Sequence, residues 1–145
     1  VDPAEQALIL SALGNAGDPR ALDDVTVFLG HPSPGLRAVA AESLRFVPLP
    51  LADALLAEVM RADDASKVRE RAVFAASFRD ASLLVATVLE GVVADPSAVV
   101  RGRMVSLLGG WGAAAEDVTA ILTRVSQDDP SADVRAMAAA VIAPS

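Results

Sequence analysis

The stretch "ADPSAVVRGRM", residues 94–104, decides the fold because the chain contains four versions of it. The others are "GHPSPGLRAVA" from residue 30, "ADDASKVRERA" from residue 62 and "DDPSADVRAMA" from residue 128. One arginine holds the same place in each version: Arg37, Arg69, Arg101 and Arg135, separated by 32, 32 and 34 residues. A fixed period of this length is typical of a repeat built from two helices.

Each version predicts the start of a helix. After the arginine, small or apolar residues return at a spacing of three or four, as Met104 and Leu108 do. Asp95 is the predicted N-cap and Pro96 the first helical residue, where the missing N–H costs nothing. Asp129 repeats this arrangement, whereas Ser33 is the better capping candidate in the first copy.

Amphipathic helices are predicted between these, over residues 19–29, 51–62, 81–94 and 115–127. The connections are rich in glycine, proline and acidic residues, which are typical of turns. The opening helix fits the pattern when Leu13 is aligned with Leu44, which puts Gln6 in the arginine position. The sequence therefore predicts one all-α segment with about four and a half repeats: a half repeat at 1–17, then 18–47, 48–79, 80–112 and 113–145.

The stretches "GDPRAL", "HPSPGLRAVAAESL", "DPSAVVRGRMVSLL" and "DPSADVRAMAAAVI" resemble HEAT repeats, in particular the short bacterial type also seen in relatives of phycobilin lyases. This resemblance implies a right-handed α-α superhelix, a solenoid whose second helices line the concave face. A narrower likeness involves "LILSALGNAGDPRAL", "LRAVAAESLRFVP" and "VRERAVFAASF". Together they are similar to the helical superhelix domain of vitellogenin-like lipid-transfer proteins.

Composition limits the alternatives. Hydrophobic residues make up 53% of the 145 residues and aromatic residues only 3%, so Ala, Val and Leu must fill the core. No apolar run approaches the ~20 residues that a membrane span needs. The chain begins without methionine and both terminal helices are apolar, which predicts a domain fragment of a longer protein or self-association through the ends. The compartment stays open, with a soluble, cytoplasmic location favoured.

The HEAT resemblance implies a structural role for the four arginines. In that family the equivalent residue pairs with an acid near the turn of the adjacent repeat. Asp63, Asp95 and Asp128 or Asp129 are the candidate partners. We therefore favour an intramolecular ladder of Arg37, Arg69, Arg101 and Arg135 over anion binding.

Helical periodicity also predicts which residues line the concave strip. Small residues such as Ala38 and Gly102 are expected to face outward there. The candidate contact residues are Val39, Glu42, Arg45, Glu70, Arg71, Phe74, Arg103 and Ser106. Such a strip suits a helix, an extended peptide or a lipid tail. Core packing is nevertheless the favoured interpretation for Phe74, Phe78 and Trp111.

Catalysis, metal binding and nucleic-acid binding find little support. The single histidine, His31, is expected to be a solvated turn residue, and the chain has no cysteine to complete a metal site or a nucleophile pair. No glycine-rich phosphate loop follows a strand. With 19 acidic against 12 basic residues the net charge is −7, whereas phosphate binding needs a positive surface. We therefore expect no enzyme, no cofactor and no nucleic-acid partner, and an acidic surface that suits a basic partner.

Three functions remain from these considerations. The favoured one is a non-catalytic protein-interaction scaffold that binds another protein or peptide on the concave strip. The alternative is a structural or lipid-handling module of a vitellogenin-like lipid-transfer system. Chromophore lyase activity, by analogy with phycobilin lyases, is the third.

Overall fold

The computed structural model describes residues 2–112 and 115–144, and in these ranges the regular structure is helical throughout. The α-helices are α1 (Pro3–Ala16), α2 (Leu22–Leu29), α3 (Pro34–Ser43), α4 (Pro50–Ala62), α5 (Ser66–Ala76), α6 (Val85–Ala94), α7 (Ala98–Gly110), α8 (Glu116–Asp128) and α9 (Ala132–Ile142). Short 3-10 turns cover Pro19–Ala21, Leu44–Phe46 and Ala81–Leu83. Among these helices, none combines the length and apolar character needed to cross a bilayer.

In the first copy Ser33 is the N-cap, as predicted, but in the last two copies the second helix begins two residues later than the sequence predicts. Ser97, not Asp95, is the N-cap of α7, and its hydroxyl accepts from the Val100 N–H at 3.4 Å. The Asp95 carboxylate instead accepts from the Ser97 N–H at 2.8 Å. The predicted cap was wrong: the Asp95 side chain closes a turn two residues ahead of the helix, as aspartate side chains commonly do. Ser131 and Asp129 repeat the same arrangement.

The two earlier copies keep this turn with other residues. Asp63 accepts from the Ala65 N–H at 2.9 Å. In the first copy His31 takes the place of the aspartate, and its Nδ1 accepts from the Ser33 N–H at 3.0 Å. The expectation that His31 is a solvated residue was wrong, because it is half-buried and stacks on Phe28 with ring centroids 5.9 Å apart.

The chain divides into two compact units, Val1–Leu84 and Val85–Ser145. In the first unit α2 packs on α3 and α4 on α5, while α1, α3 and α5 pack side by side. In the second unit α6 packs on α7, α8 packs on α9, and α7 lies against α9. Each unit is therefore built from helix pairs whose second helices adjoin one another.

The core follows the expected register, with small side chains at close helix contacts. Leu36, Ala40 and Leu44 of the first copy are at most 3% exposed. Where α1 meets α3, the Ser43 hydroxyl donates to the Leu10 carbonyl at 2.7 Å. A Cβ at Gly14 would lie 2.6 Å from the Ser43 Cα, so only glycine allows this approach.

Some residues expected to face outward are buried instead. Ala38 is 9% exposed, and Gly102 lies under Met137, whose Sδ would be 3.2 Å from a Cβ on that glycine. Asp53, which the amphipathic pattern puts on the polar side of α4, is 8% exposed. Ala38 lies on α3, which packs between α1 and α5, so the solvent-facing side of this helix is narrower than the helical periodicity alone predicts.

Candidate functional site

The repeated arginines lie in the first turn of their helices, and their side chains bond to the turn that precedes each helix. Arg37 donates to both carboxylate oxygens of Asp63 at 2.8 and 3.0 Å and to Asp64 at 2.7 Å. Its remaining donor, Nη1, bonds the His31 carbonyl at 3.0 Å. One guanidinium therefore joins the turn before its own helix to the turn of the next repeat.

Arg101 repeats this geometry in the second unit. It donates to the two Asp129 oxygens at 2.7 and 2.9 Å and to the Asp95 carbonyl at 2.8 Å. Arg69 and Arg135 bond the corresponding carbonyls of Asp63 and Asp129, at 2.8 and 2.7 Å. Each of the four arginines therefore bonds to carbonyl or carboxylate groups of the same chain, as an intramolecular ladder requires.

Hydrogen bonds lower the pKa of both aspartates that pair with these arginines. Hydrogen bonds from Arg101 hold the pKa of Asp129 below its usual range, against the opposing effect of burial, and the Ser131 N–H adds to the lowering. At Asp63 burial is the largest influence and acts to raise the pKa, but the bonds from Arg37 and the Ala65 N–H outweigh it. Both carboxylates therefore stay ionised below the pH at which a free aspartate takes up a proton.

We expect the Asp129 contribution to stability to disappear in acid. Because the folded-state pKa lies below the unfolded value of about 3.9, ionised Asp129 stabilises the fold above that pH, and the contribution falls as pH decreases towards the folded pKa. Asp129→Asn should lower the urea midpoint at pH 7, with the difference from wild type shrinking below about pH 4. Asp117→Asn, at an exposed site on α8, is the control. A difference that stays constant from pH 7 to 2.5 would contradict this prediction.

Arg79 is a buried arginine that the sequence analysis missed. Its side chain is 9% exposed and donates to both oxygens of Asp53 on α4, at 2.6 and 2.9 Å. It also bonds the carbonyls of Leu44, Val47 and Leu49, at 2.9, 2.7 and 3.2 Å. One side chain thus satisfies the carbonyls where the chain leaves α3 and neutralises a buried carboxylate. The sequence feature that could have indicated this role is the arginine in the turn "FRDA", which has no counterpart in the other copies.

Three phenylalanines form an exposed group on α5 and in the turns that follow α3 and α5. Phe46, Phe74 and Phe78 are 45%, 42% and 48% exposed. The Phe78 ring meets the other two edge to face, with centroids 5.3 Å from Phe46 and 5.2 Å from Phe74. We call these residues the phenylalanine cluster. The expectation that Phe74 and Phe78 pack in the core was wrong, because nearly half of each side chain is exposed.

Charged groups border the phenylalanine cluster. Arg71 lies 3.4 Å from Glu42, and Arg45 bonds both the Glu42 carbonyl, at 3.1 Å, and the Asn15 side chain. The Arg45 guanidinium carbon is 4.8 Å from the centre of the Phe46 ring, and that of Arg71 is 5.9 Å from the Phe74 ring. These contacts fix the arginine side chains beside the rings.

The structure brings together part of the predicted strip. In the first unit Phe74 belongs to the cluster, and Glu42, Arg45 and Arg71 lie around it. Val39 and Glu70 are half-buried on α3 and α5. Arg103 and Ser106 are exposed on α7 in the second unit.

Trp111, which follows α7, was expected in the core. It is half-buried, and within the described part of the chain its Nε1 is buried without a hydrogen-bond partner. In residues 2–112 and 115–144 no group of three or more His, Asp or Glu side chains is arranged to hold a metal ion.

Comparison with solved structures shows a likeness of fold to known proteins. The structure of the complex of CpcE and CpcF of phycocyanin lyase from Nostoc sp. PCC7120 matches 98% of this chain and 91% of that chain, with a TM-score of 0.73 and 18% identity. No curated protein sequence gives a significant match. At this identity the likeness establishes the fold alone.

The comparisons correct two expectations about function. The prediction that the chain is not an enzyme was wrong, because a fold of this kind belongs to a phycocyanin lyase. Lack of a recognisable catalytic motif is therefore no argument against catalysis for this architecture. The alternative of a vitellogenin-like lipid-transfer module receives no support from the comparisons.

The family assignment rests on the sequence. A family model described as HEAT repeats matches residues 1–77, which is more than half of the chain. The helix pairs of both units and the structural likeness agree with this match, and the all-α HEAT-like fold predicted from the period is confirmed. The chain belongs to the HEAT repeat family.

Proposed function

We propose that this chain is a protein-interaction module, and that the phenylalanine cluster binds a segment of its partner. The observation that carries the proposal is the exposure of three mutually contacting rings in a chain with only four phenylalanines. Exposed aromatic groups bordered by polar residues are typical of binding surfaces, because burying them on association contributes a large part of the affinity.

The neighbouring contacts support a preformed site. Arg45 is only 13% exposed and is fixed by Glu42, Asn15 and the Phe46 ring, so little side-chain entropy remains to be lost on binding. A partner segment, either helical or extended, would insert an apolar side chain between the rings. The net charge of −7 favours a partner with a basic surface, whose approach it would accelerate.

Truncating the rings tests this proposal. We expect Phe78→Ala to weaken partner binding by at least about tenfold, because Phe78 contacts both other rings and truncation removes the centre of the apolar surface. A photo-crosslinking residue in place of Phe46 would first identify the partner, and calorimetry would then compare wild type with Phe78→Ala.

The matched control is Val27→Ala on α2, a first helix, where the side chain is 75% exposed. It should leave the dissociation constant unchanged. Equal affinities for wild type and Phe78→Ala, with both proteins folded by circular dichroism, would reject the cluster as the binding site.

A part in a lyase-type enzyme complex is the second candidate function. The structural likeness to the complex of CpcE and CpcF favours it. Adding free phycocyanobilin to the chain tests this candidate, because binding would change the absorption spectrum of the bilin. An unchanged spectrum with the chain alone and with its crosslinked partner would reject the candidate.

A further inference from the structure

One exposed side of α5 carries cations next to the phenylalanine cluster. Lys67, Arg71 and Phe74 follow one another at spacings of four and three residues, which puts them on the same side of the helix. All three are exposed, and Phe78 continues the row in the turn after α5. We call these four residues the α5 stripe. Its first half is cationic and its second half is aromatic.

The charge around the α5 stripe is opposite in sign to that of the whole chain. Lys67 and Arg71 lie on the stripe and Arg45 lies beside it. The acids that α3 and α5 carry are Glu42 and Glu70, both half-buried, and the two ladder arginines of these helices bond to the turns. Three cations therefore face two acids here, in a chain with a net charge of −7. The net charge acts on the approach of a whole partner, whereas salt screening leaves the local charges to act at contact.

Glu42, the acid that borders the rings, is already paired. Its carboxylate lies 3.4 Å from Nη1 of Arg71 and 4.0 Å from Nη1 of Arg45. A basic segment would have to compete with both arginines for it. The Arg71 side chain is 49% exposed, and a guanidinium has five N–H donors, so a second carboxylate can bond to it without displacing Glu42.

Lys67, the single lysine of the chain, extends the cationic half by one turn. At a rise of about 1.5 Å per residue, the cations of the stripe lie roughly 5–16 Å along α5 from the two phenylalanines. An extended peptide covers that distance in about two to five residues. One short segment can therefore reach the rings and the cations together.

We propose that the segment bound by the phenylalanine cluster is an acidic one. Its apolar side chain packs on the rings, and an aspartate or glutamate about two to five residues away binds Arg71 and Lys67. This inference rests on the proposed function of the cluster and adds the chemistry of the bound segment. The rings supply most of the affinity, because exposed ion pairs add little, whereas the charges select which segment binds.

A random peptide library tests the proposal. The probe is a phage-displayed library of extended peptides about twelve residues long, selected on the wild-type chain after phage that bind Phe78→Ala have been removed. We expect the recovered peptides to be enriched, relative to the unselected library, in Asp or Glu within about five residues of an apolar side chain.

Charge variants measure what the two cations contribute to binding of a recovered acidic peptide. Arg71→Gln and Lys67→Gln should each raise its dissociation constant by about two- to fivefold. Lys67→Glu should raise it further, and a peptide with lysine in place of the acid should regain affinity for that variant. The matched control is Arg61→Gln, at an exposed arginine of the first helix α4, which should leave the dissociation constant unchanged.

The outcomes separate this inference from the proposed function. Recovered peptides that depend on Phe78 but have no acid, or have lysine or arginine in its place, would overturn the inference and leave the cluster as a binding site. Equal dissociation constants for wild type and Lys67→Glu would do the same. Recovery of no peptide that depends on Phe78 would overturn both. A dimer in the ultracentrifuge that Phe78→Ala dissociates would also reject the acidic segment, since a second copy would then cover the stripe.

Discussion

Replacing Arg79 with alanine is expected to lower the free energy of unfolding by about 3–5 kcal/mol. The substitution leaves the Asp53 carboxylate, 8% exposed, without its cation. It also leaves the carbonyls of Leu44 and Val47 without the donors that satisfy them at 2.9 and 2.7 Å. Each buried group left without a partner costs the free energy of its lost hydration. This cost is larger than the free energy that an exposed ion pair contributes to stability.

Urea denaturation followed by circular dichroism measures this effect. The matched control is Arg20→Ala, which removes an ion pair to Asp18 at 2.5 Å from an arginine whose side chain is 91% exposed. It should leave the midpoint nearly unchanged, because solvent screens that pair. Equal midpoints for the two variants would show that Arg79 does not hold the end of α3 to α4.

A double variant separates the buried charge from the lost packing. Arg79→Met with Asp53→Leu removes both ions and keeps their volume, so we expect it to recover part of the stability lost in Arg79→Ala. Arg79→Met alone should remain destabilised because the buried Asp53 side chain has lost its hydrogen-bond donors. Equal stability of the single and double variants would mean that the carbonyl contacts, not the ion pair, carry the effect.

The helix pairs and their register could be predicted because burial itself produces the repeated pattern. Leu36, Val68, Val100 and Val134 recur beside the arginines since each occupies the same covered position, at most 3% exposed. The same argument applies to α1, where Gln6 takes the arginine position and the helix packs beside α3 as α5 does. Local chemistry that every copy shares is therefore visible from one sequence.

Features that occur once could not be predicted in this way. Arg79 stabilises the fold because its side chain bonds both to a carbonyl at the end of α3 and to a carboxylate on α4. These contacts occur in one copy only, so the repeat period does not predict them. Phe74 was predicted to lie in the core, although it is 42% exposed. An error of one residue in the position about the helix axis is enough to move a side chain from the buried to the exposed side. The predicted absence of enzymatic function failed for a different reason, because it relied on missing motifs and not on the fold.

Replacing Val100 with aspartate should unfold the second unit, at a cost above about 4 kcal/mol. Val100 is fully buried on α7, so the new carboxylate would lose its hydration without gaining a cation. Val99→Asp is the matched control, because Val99 is the preceding residue of the same helix and is 55% exposed. A carboxylate there lies in the first turn of α7, where the helix dipole favours a negative charge, so stability should be unchanged or slightly higher. Fluorescence of Trp111, the chain's single tryptophan, reports unfolding of this unit. Equal loss of stability in both variants would show that the register of α7 is wrong, and tolerance of both would show that its inner face is not packed.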